Sequence, residues 1–494
     1  MEDTAREDPA REDTAREDPA REDTAREDPA REDPAREDPA REDTARGMAL
    51  CETNGSMDLQ LQANLILSHA TGVGSALPPE RVRRLIALRI NVHSKGYSGI
   101  SLETVQQFVD ALNASCLPRI PEKGSVGASG DLAPLAHLTL GLMGIGEMWS
   151  PESGWGNAEE ILKAHNLTPL KLKSKEGLAA INGTQFITSL TAEALYRAEL
   201  ATKQADVIAA LSIEALLGTD NAYDPRIHQQ RCHPGQQQSA YVLRTLLKHD
   251  SEFRGPQLQD AYSLRCIPQV HGVTRDTLTF VHTIIETEMN SATDNPMIFS
   301  DDNEIVSGGN FHGEYPGKAA DYLAIAVHEI ANMSVMRIER LLNGAYSKGL
   351  PNFLVGSKEG LNSVSENKVL THPSTVDSIS TCGGTEDHVS MGAFAARKAL
   401  QVAEHVEYVL AIEMIAACQA IDLRHPKKLS GPLKKVHDLV RTKIMHLEKD
   451  RFMGPDIDMA VRLIQEGQAV PVAISKAQIP QCEQAMRSDV STRI

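Results

Sequence analysis

Apolar residues recur at steps of three and four through several long stretches that hold no proline and almost no glycine, a pattern that predicts helices. Thr184 to Leu217 runs for 34 residues in this way, which as a helix would be about 50 Å long at 1.5 Å per residue. Lys318 to Leu342 carries Leu323, Val327, Ile330, Ile338 and Leu341, and Glu386 to Leu423 carries Val402, Val406, Val409, Ile412 and Ile415. Shorter helices are expected at 57 to 69, 78 to 94, 101 to 115, 273 to 290 and 430 to 448. Rods of this length suit a mainly α fold with an elongated central helical bundle. The three longest are apolar over more than one stripe, as helices are when neighbours or other subunits surround them. Oligomerisation follows naturally, with a monomer built on a large bundle as the alternative.

Composition supports helices over sheets. Only 20 of 494 residues are aromatic, so the core is filled by Leu, Ile, Val, Ala and Met, which fits packed helices better than a β-sandwich. Residues 2 to 46 are nine copies of Glu-Asp-Thr/Pro-Ala-Arg, a repeat with no large apolar residue and with proline in five copies. Such a segment cannot bury enough surface to offset its ordering entropy, so residues 1–46 are expected to be a disordered acidic tail and 47–494 the folded domain. The tail accounts for nine of the 17 net negative charges and leaves the domain mildly acidic. With no basic block, neither nucleic-acid binding through phosphates nor coating of an anionic membrane is expected.

Seven cysteines, at 51, 116, 232, 266, 382, 418 and 482, form neither a CxxC pair nor a Cys/His cluster, and read as reduced thiols of a cytoplasmic protein. The acidic start lacks the regions of a signal peptide, and no apolar run approaches a membrane span. His328-Glu329-Ile330-Ala331-Asn332 has asparagine where a zinc-binding HExxH needs its second histidine, so no metal site is expected.

The least ordinary stretch is Gly124-Ser-Val-Gly-Ala-Ser-Gly-Asp-Leu-Ala-Pro-Leu-Ala-His137, with three glycines at spacing three ahead of an expected helix. Asp131 reads as a helix cap and the glycines as a tight entry to it. A phosphate loop is excluded, because Walker A needs Gly-Lys and this chain has Gly130-Asp131. A third reading is chemical: the nitrogen of Gly130 attacks the carbonyl of Ala128, closing a five-membered ring, and dehydration of Ser129 leaves an exocyclic methylidene. Glycine allows the close approach, alanine leaves the ring accessible, and serine supplies the hydroxyl that is lost. A helix N-terminus beside such an electrophile would stabilise negative charge upon it.

Six ordered motifs bear on that choice: GSVGASGDLAPLAHL from 124, AINGTQ at 180–185, QDAYSLRCIPQVHG at 259–272, NSATDNPMIF at 290–299, SGGNFHGEYP at 307–316 and TEDHVSMG at 385–392. Together, from about Leu59 to Pro455, the chain resembles the histidine-specific branch of the aromatic amino acid lyase family. The resemblance implies a largely α-helical homotetramer acting in histidine catabolism. It implies elimination of ammonia from L-histidine, giving trans-urocanate, by means of a 4-methylideneimidazol-5-one group formed autocatalytically from Ala128, Ser129 and Gly130, with no metal required. Asp131 then matches the acid that assists ring formation, Asn182 the asparagine that orients electrophile and substrate, and Arg265 the grip on the substrate carboxylate, to which a planar guanidinium is suited. Gln259 and Tyr262 stand in the same motif, with Tyr262 expected at both substrate and prosthetic group, and Phe311 matches an aromatic wall beside the ring. Ser68-His69 resembles the pair of the histidine-specific branch, and Glu386 the acid that addresses the imidazole or ammonia. Buried polar partners of that kind reject a ring without hydrogen-bonding groups. Singly, each of these residues has a plainer reading: His69, Tyr262 and Phe311 as packing, Glu386 and Arg265 as halves of surface ion pairs.

The chain departs from the family pattern in two places. Residues 48 to 60 read MALCETNGSMDLQ and join the repeat directly, where the family has a glycine-rich loop whose tyrosine is a candidate catalytic base. Tyr97, the first tyrosine, lies downstream of Ser68-His69 and does not stand in that motif. A second gap falls between Ser363 and Val364, where relatives have further helical turns. These departures motivate an alternative, a catalytically silent lyase-like subunit; an aminomutase using the same electrophile is a third reading.

Overall fold

A computed structural model describes residues 55–247, 251–253, 255, 259–354 and 361–474. The acidic repeat and residues 48–54, where the family's tyrosine loop is missing from the sequence, lie outside the described residues. Seventeen helices are described: α1 Gly55–His69, α2 Pro79–His93, α3 Leu102–Asn113, α4 Leu132–Leu142, α5 Ala158–Ala164, α6 Glu176–Ile181, α7 Gln185–Ala215, α8 Pro225–Gln229, α9 Pro234–Leu247, α10 Tyr262–Arg265, α11 Ile267–Met289, α12 Glu314–Leu342, α13 Leu361–Leu370, α14 Gly392–Asp422, α15 Gly431–Lys443, α16 Gly454–Gln465 and α17 Ala469–Ala473. The junction between Ser363 and Val364 lies inside α13.

The core is the bundle of α7, α11, α12 and α14. Along α7, Val207, Ile208, Ala209, Ala210 and Leu211 are consecutive and all fully buried, which only a helix enclosed on every side can achieve. Helices α12 and α14 cross at Gly317 and Gly392, where a Cβ on Gly317 would lie 2.9 Å from the Gly392 Cα. Small residues at this crossing let two long helices start side by side.

The expected helices are observed, with two informative shifts. The stretch from Glu386 forms helix only from Gly392, because Thr381 and Glu386 pair as an antiparallel bridge and Met391 takes φ 51°. The helix expected from 273 begins at Ile267, six residues earlier, with Pro268 in its first turn, a position where helices tolerate proline.

Short strands tie the surface loops down. Strand β1 (Val73–Ala76), just after α1, pairs antiparallel with β3 (Pro121–Lys123), with Val73 opposite Lys123. This brings the end of α1 against Gly124. Strand β2 (Leu117–Pro118) joins β4 (Glu147–Ser150) and β5 (Gly154–Asn157), and β6 (Met297–Phe299) forms a hairpin with β7 (Glu304–Val306). None of the described helices is long and apolar enough to cross a membrane.

Candidate active site

Each glycine of the 124–130 loop is met by a different part of the chain. Gly124 faces Gly72, whose Cα would lie 2.8 Å from an added Cβ, and Gly127 faces Ser390, whose Oγ would lie 2.1 Å from one. Gly130 crosses Gly183 in a parallel bridge, and the Asp131 N–H donates to the Gly183 carbonyl at 2.7 Å. At Gly130, φ is +72° and an added Cβ would stand 2.3 Å from the Gly183 oxygen, so conformation and space both demand glycine.

On this crossing the triplet is held by one side chain. Asn182 Nδ2 donates to Ser129 Oγ at 2.7 Å and to the Ser129 carbonyl at 3.4 Å, while Asn182 Oδ1 is buried without a hydrogen-bond partner among the described residues. Asn182 is itself held through its backbone by Arg89, which is fully buried. Arg89 Nη1 donates to the Asn182 carbonyl at 2.6 Å and to Gln185 Oε1 at 2.5 Å, and Nη2 donates to the Ala179 carbonyl. Gln185 Nε2 then reaches Thr293 Oγ1 at 2.6 Å, stitching AINGTQ to NSATDNP. Burial lowers the Arg89 pKa to about 10, against the pull of Asp294 and Asp131, and leaves it charged at neutral pH.

Asp131 occupies the N-cap position of α4 yet makes no capping bond there. Its Oδ2 accepts instead from the Ile187 N–H of α7 at 2.9 Å, and Ser125 Oγ donates to Oδ1 at 3.4 Å. The cap reading of Asp131 holds for its position before α4, while its carboxylate caps the first turn of α7 instead. Burial raises this carboxyl to about 7, outweighing the backbone donors of Ile187 and Phe186, so it can both hold and release a proton near neutrality.

Four helices begin around the loop. Helix α4 starts one residue beyond Asp131, and α7 starts two residues beyond Gly183. Added Cβ atoms on Gly313 and Gly392, at the starts of α12 and α14, would lie 2.5 Å and 2.8 Å from Ile187 Cδ1. Their N-termini thus concentrate positive dipole ends at the triplet, an arrangement that favours developing negative charge there.

The remaining expected residues divide into two groups. His69 ends α1, half-buried, with Nδ1 against the Leu65 carbonyl at 2.8 Å and Ser68 Oγ at 3.1 Å. Three residues on, the Gly72 N–H donates to His137 Nε2 at 3.0 Å, fixing this corner beside the loop. Phe311, half-buried, precedes Gly313 by two residues. Glu386, also half-buried, accepts from Thr381 Oγ1 at 2.6 Å. A contact of 3.0 Å between His312 Nε2 and the His388 carbonyl joins the segments that carry Phe311 and Glu386.

Gln259, Tyr262 and Arg265 stand elsewhere. The Thr219 N–H donates to Asp260 Oδ2 at 2.6 Å, which places this segment beyond the C-terminal end of α7, whereas the triplet lies at its N-terminal end. Helix α11, which starts just after Arg265, runs 23 residues, about 34 Å, before Met289 accepts from Asn91 Nδ2 near the Arg89 end. Within one chain these residues are not brought to the triplet. Tyr262 is 68% exposed, and the Arg265 guanidinium lies over its ring at 4.7 Å.

Sequence reasoning passed over Arg89 and Ser390. A lone arginine among apolar residues in Leu85-Ile-Ala-Leu-Arg-Ile90 was the available signal for Arg89, since a charge on a buried face needs internal partners. Among the described residues, no group of three or more His, Cys, Asp or Glu side chains is placed to hold a metal ion.

Comparison with known proteins identifies the family. Residues 47–442 match the model of the aromatic amino acid lyase family. Human histidine ammonia-lyase is 58% identical over 434 residues, covering 84% of this chain and 66% of that protein, so the chain spans just under two thirds of the mammalian relative. The histidine ammonia-lyase of Alkaliphilus oremlandii is 47% identical over 432 residues, 84% of each chain. Among solved structures, the histidine ammonia-lyase of Trypanosoma cruzi superposes with a TM-score of 0.81 at 44% identity, covering 90% of this chain and 92% of that one. A phenylalanine aminomutase from Pantoea agglomerans superposes with a TM-score of 0.78 at 31% identity, covering 82% and 85%.

Proposed function

The chain belongs to the aromatic amino acid lyase family, and on that premise we propose that it is a histidine ammonia-lyase, eliminating ammonia from L-histidine to give trans-urocanate. The observation that carries this reading is the contact of Asn182 Nδ2 with Ser129 Oγ at 2.7 Å, on a loop crossing that admits no side chain at residue 130. The triplet is thereby held where the Gly130 nitrogen can bond to the Ala128 carbonyl carbon with loss of one water, and where Ser129 can lose its α-hydrogen and hydroxyl as a second. Asp131, titrating near 7, is the adjoining group able to exchange protons during those losses.

The methylideneimidazolone so formed supplies an electrophile that withdraws electrons from the bound amino acid and makes ammonia a better leaving group. The other roles belong to the chain's own side chains. Asn182 orients the triplet, and the helix N-termini stabilise negative charge beside it. His69 and Glu386 offer the imidazole polar partners that a phenyl ring could not use, and Phe311 forms an apolar wall. Arg265 binds the carboxylate, with Tyr262 and Gln259 beside it.

That last group implies a site completed by another copy of the chain, and an exposed apolar face supports the homotetramer expected of the family. Tyr315, Tyr322 and Ile325 of α12 and Val273 and Phe280 of α11 stand on the open side of the central bundle, with the Phe280 and Tyr322 rings 6.1 Å apart. Cys116, Cys232, Cys266 and Cys418 carry no disulfide, which supports a reducing, cytoplasmic setting.

The test is direct. Purified protein should weigh two waters less than its sequence, with the deficit mapped to residues 128–130, and should convert L-histidine to urocanate. An unaltered Ala-Ser-Gly in folded protein would refute the reading, and a complete deficit without urocanate would favour the silent subunit.

A further inference from the structure

The turn that carries Tyr262 and Arg265 is held by residues outside the six sequence motifs. Helix α10 is one turn of four residues, followed at once by α11 with Pro268 in its first turn. Proline has no N–H, so the Leu264 carbonyl four residues earlier lacks its helical donor. Tyr223 Oη supplies it, donating at 2.8 Å from a position only 1% exposed. Burial pushes the Tyr223 phenol well above its ordinary range, which keeps the hydroxyl a donor at neutral pH.

The preceding carbonyl, that of Ser263, accepts from Arg337 Nη1 at 3.3 Å. Arg337 is fully buried, and its Nε and Nη2 donate to the two oxygens of Glu413, also fully buried, at 2.5 Å and 2.8 Å. Ser212 Oγ donates to the same carboxylate at 2.6 Å. Buried ion pairs of this kind contribute little net stability compared with apolar residues of equal volume. What the pair does provide is a guanidinium locked in one plane, with a remaining N–H directed at the turn. The Arg265 Nε, by contrast, is buried with no hydrogen-bond partner among the described residues, as suits a side chain whose partner comes from another copy.

We propose that Tyr223 and Arg337, the latter fixed by Glu413, are positioning residues: they hold the Ser263 and Leu264 carbonyls so that the Tyr262 ring and Arg265 guanidinium are presented together to the substrate carboxylate. This rests on the lyase reading, because the substrate is taken from it. Neither residue touches substrate. Their effect passes through the backbone between Tyr262 and Arg265.

Tyr223→Phe keeps the ring and removes only the hydroxyl. The expected result is a KM for L-histidine raised about tenfold, with kcat within about twofold of the unmodified protein and the two-water deficit at 128–130 complete. Calorimetric titration with L-histidine should show the same weakening. Arg337→Lys keeps the charge opposite Glu413 but loses the fixed second N–H, and should shift KM in the same direction; if it fails to fold, Tyr223→Phe decides alone. A merely structural role would lower the thermal midpoint and leave KM unchanged, and that result overturns the inference. Unmodified protein that neither binds nor converts histidine overturns the lyase reading and the inference with it. Active unmodified protein beside an unshifted Tyr223→Phe overturns the inference only.

Discussion

Gly130→Ala tests the loop crossing most sharply, because two separable costs meet at that residue. A Cβ at φ +72° costs about 1–2 kcal/mol through its own backbone conformation. The same atom would lie 2.3 Å from the Gly183 oxygen and 2.8 Å from the Gly183 carbonyl carbon, both backbone atoms that no rotamer change can move aside. Forcing them apart also strains the 2.7 Å bond from the Asp131 N–H to that oxygen, and overpacking of this kind costs about 1–3 kcal/mol more. Gly146→Ala is the control: it has φ +86° and nothing within 4 Å of an added Cβ, so it incurs only the conformational cost. Urea titrations of both variants should therefore differ by about 1–3 kcal/mol, with Gly130→Ala the less stable. Peptide mapping should find the two-water deficit lost or sharply reduced in Gly130→Ala and intact in Gly146→Ala, with urocanate formation following the deficit. Equal stabilities, or a fully dehydrated and active Gly130→Ala, would refute the reasoning.

Other expectations can be checked in parallel. Burial lifts Asp131 to about 7 from an ordinary value near 4, so between those pH values the folded protein keeps a proton that the unfolded chain has released. The associated stability is full below about pH 4 and declines as pH rises to about 7, on the order of 4 kcal/mol in all. Asp131→Asn should remove that decline relative to the unmodified protein, and parallel stability curves from urea titrations across this range would contradict the assignment. Arg265→Ala should raise KM for histidine about 100-fold through loss of a charge-assisted grip, while Lys203→Ala, exposed on α7, should leave it within about twofold; equal effects in steady-state assays would remove Arg265 from the site. Ser129→Ala and Arg265→Ala chains, each inactive at low histidine, should regain activity when co-expressed, with about a quarter of randomly assembled sites intact if each site draws on two chains. No recovery in mixed assemblies would show that one chain supplies both groups.

The helices were legible because their evidence is local. Three- and four-residue apolar steps located α7 and α12 to within a few residues, as packing on a bundle interior requires such steps. The start of α14 was misjudged at Glu386, since a bridge to Thr381 and the left-handed Met391 are tertiary choices that apolar spacing does not record. Asp131 was legible as an acid at a helix start, but which helix it serves was not: α4 follows it in sequence, and α7 receives its carboxylate.

Sequence alone determined what can happen between bonded neighbours. Ala128, Ser129 and Gly130 are adjacent, and their order and size are what the proposed ring takes from the sequence. Tertiary structure decided everything that depends on separate segments meeting: Gly183 against Gly130, Asn182 on Ser129, Arg89 beneath Asn182. It also decided that Arg265 stands at the far end of the bundle from its own chain's triplet. Helices some 30 to 45 Å long carry the chain from one end of the bundle to the other, and which end a motif occupies depends on how those rods pack, which no spacing between motifs encodes.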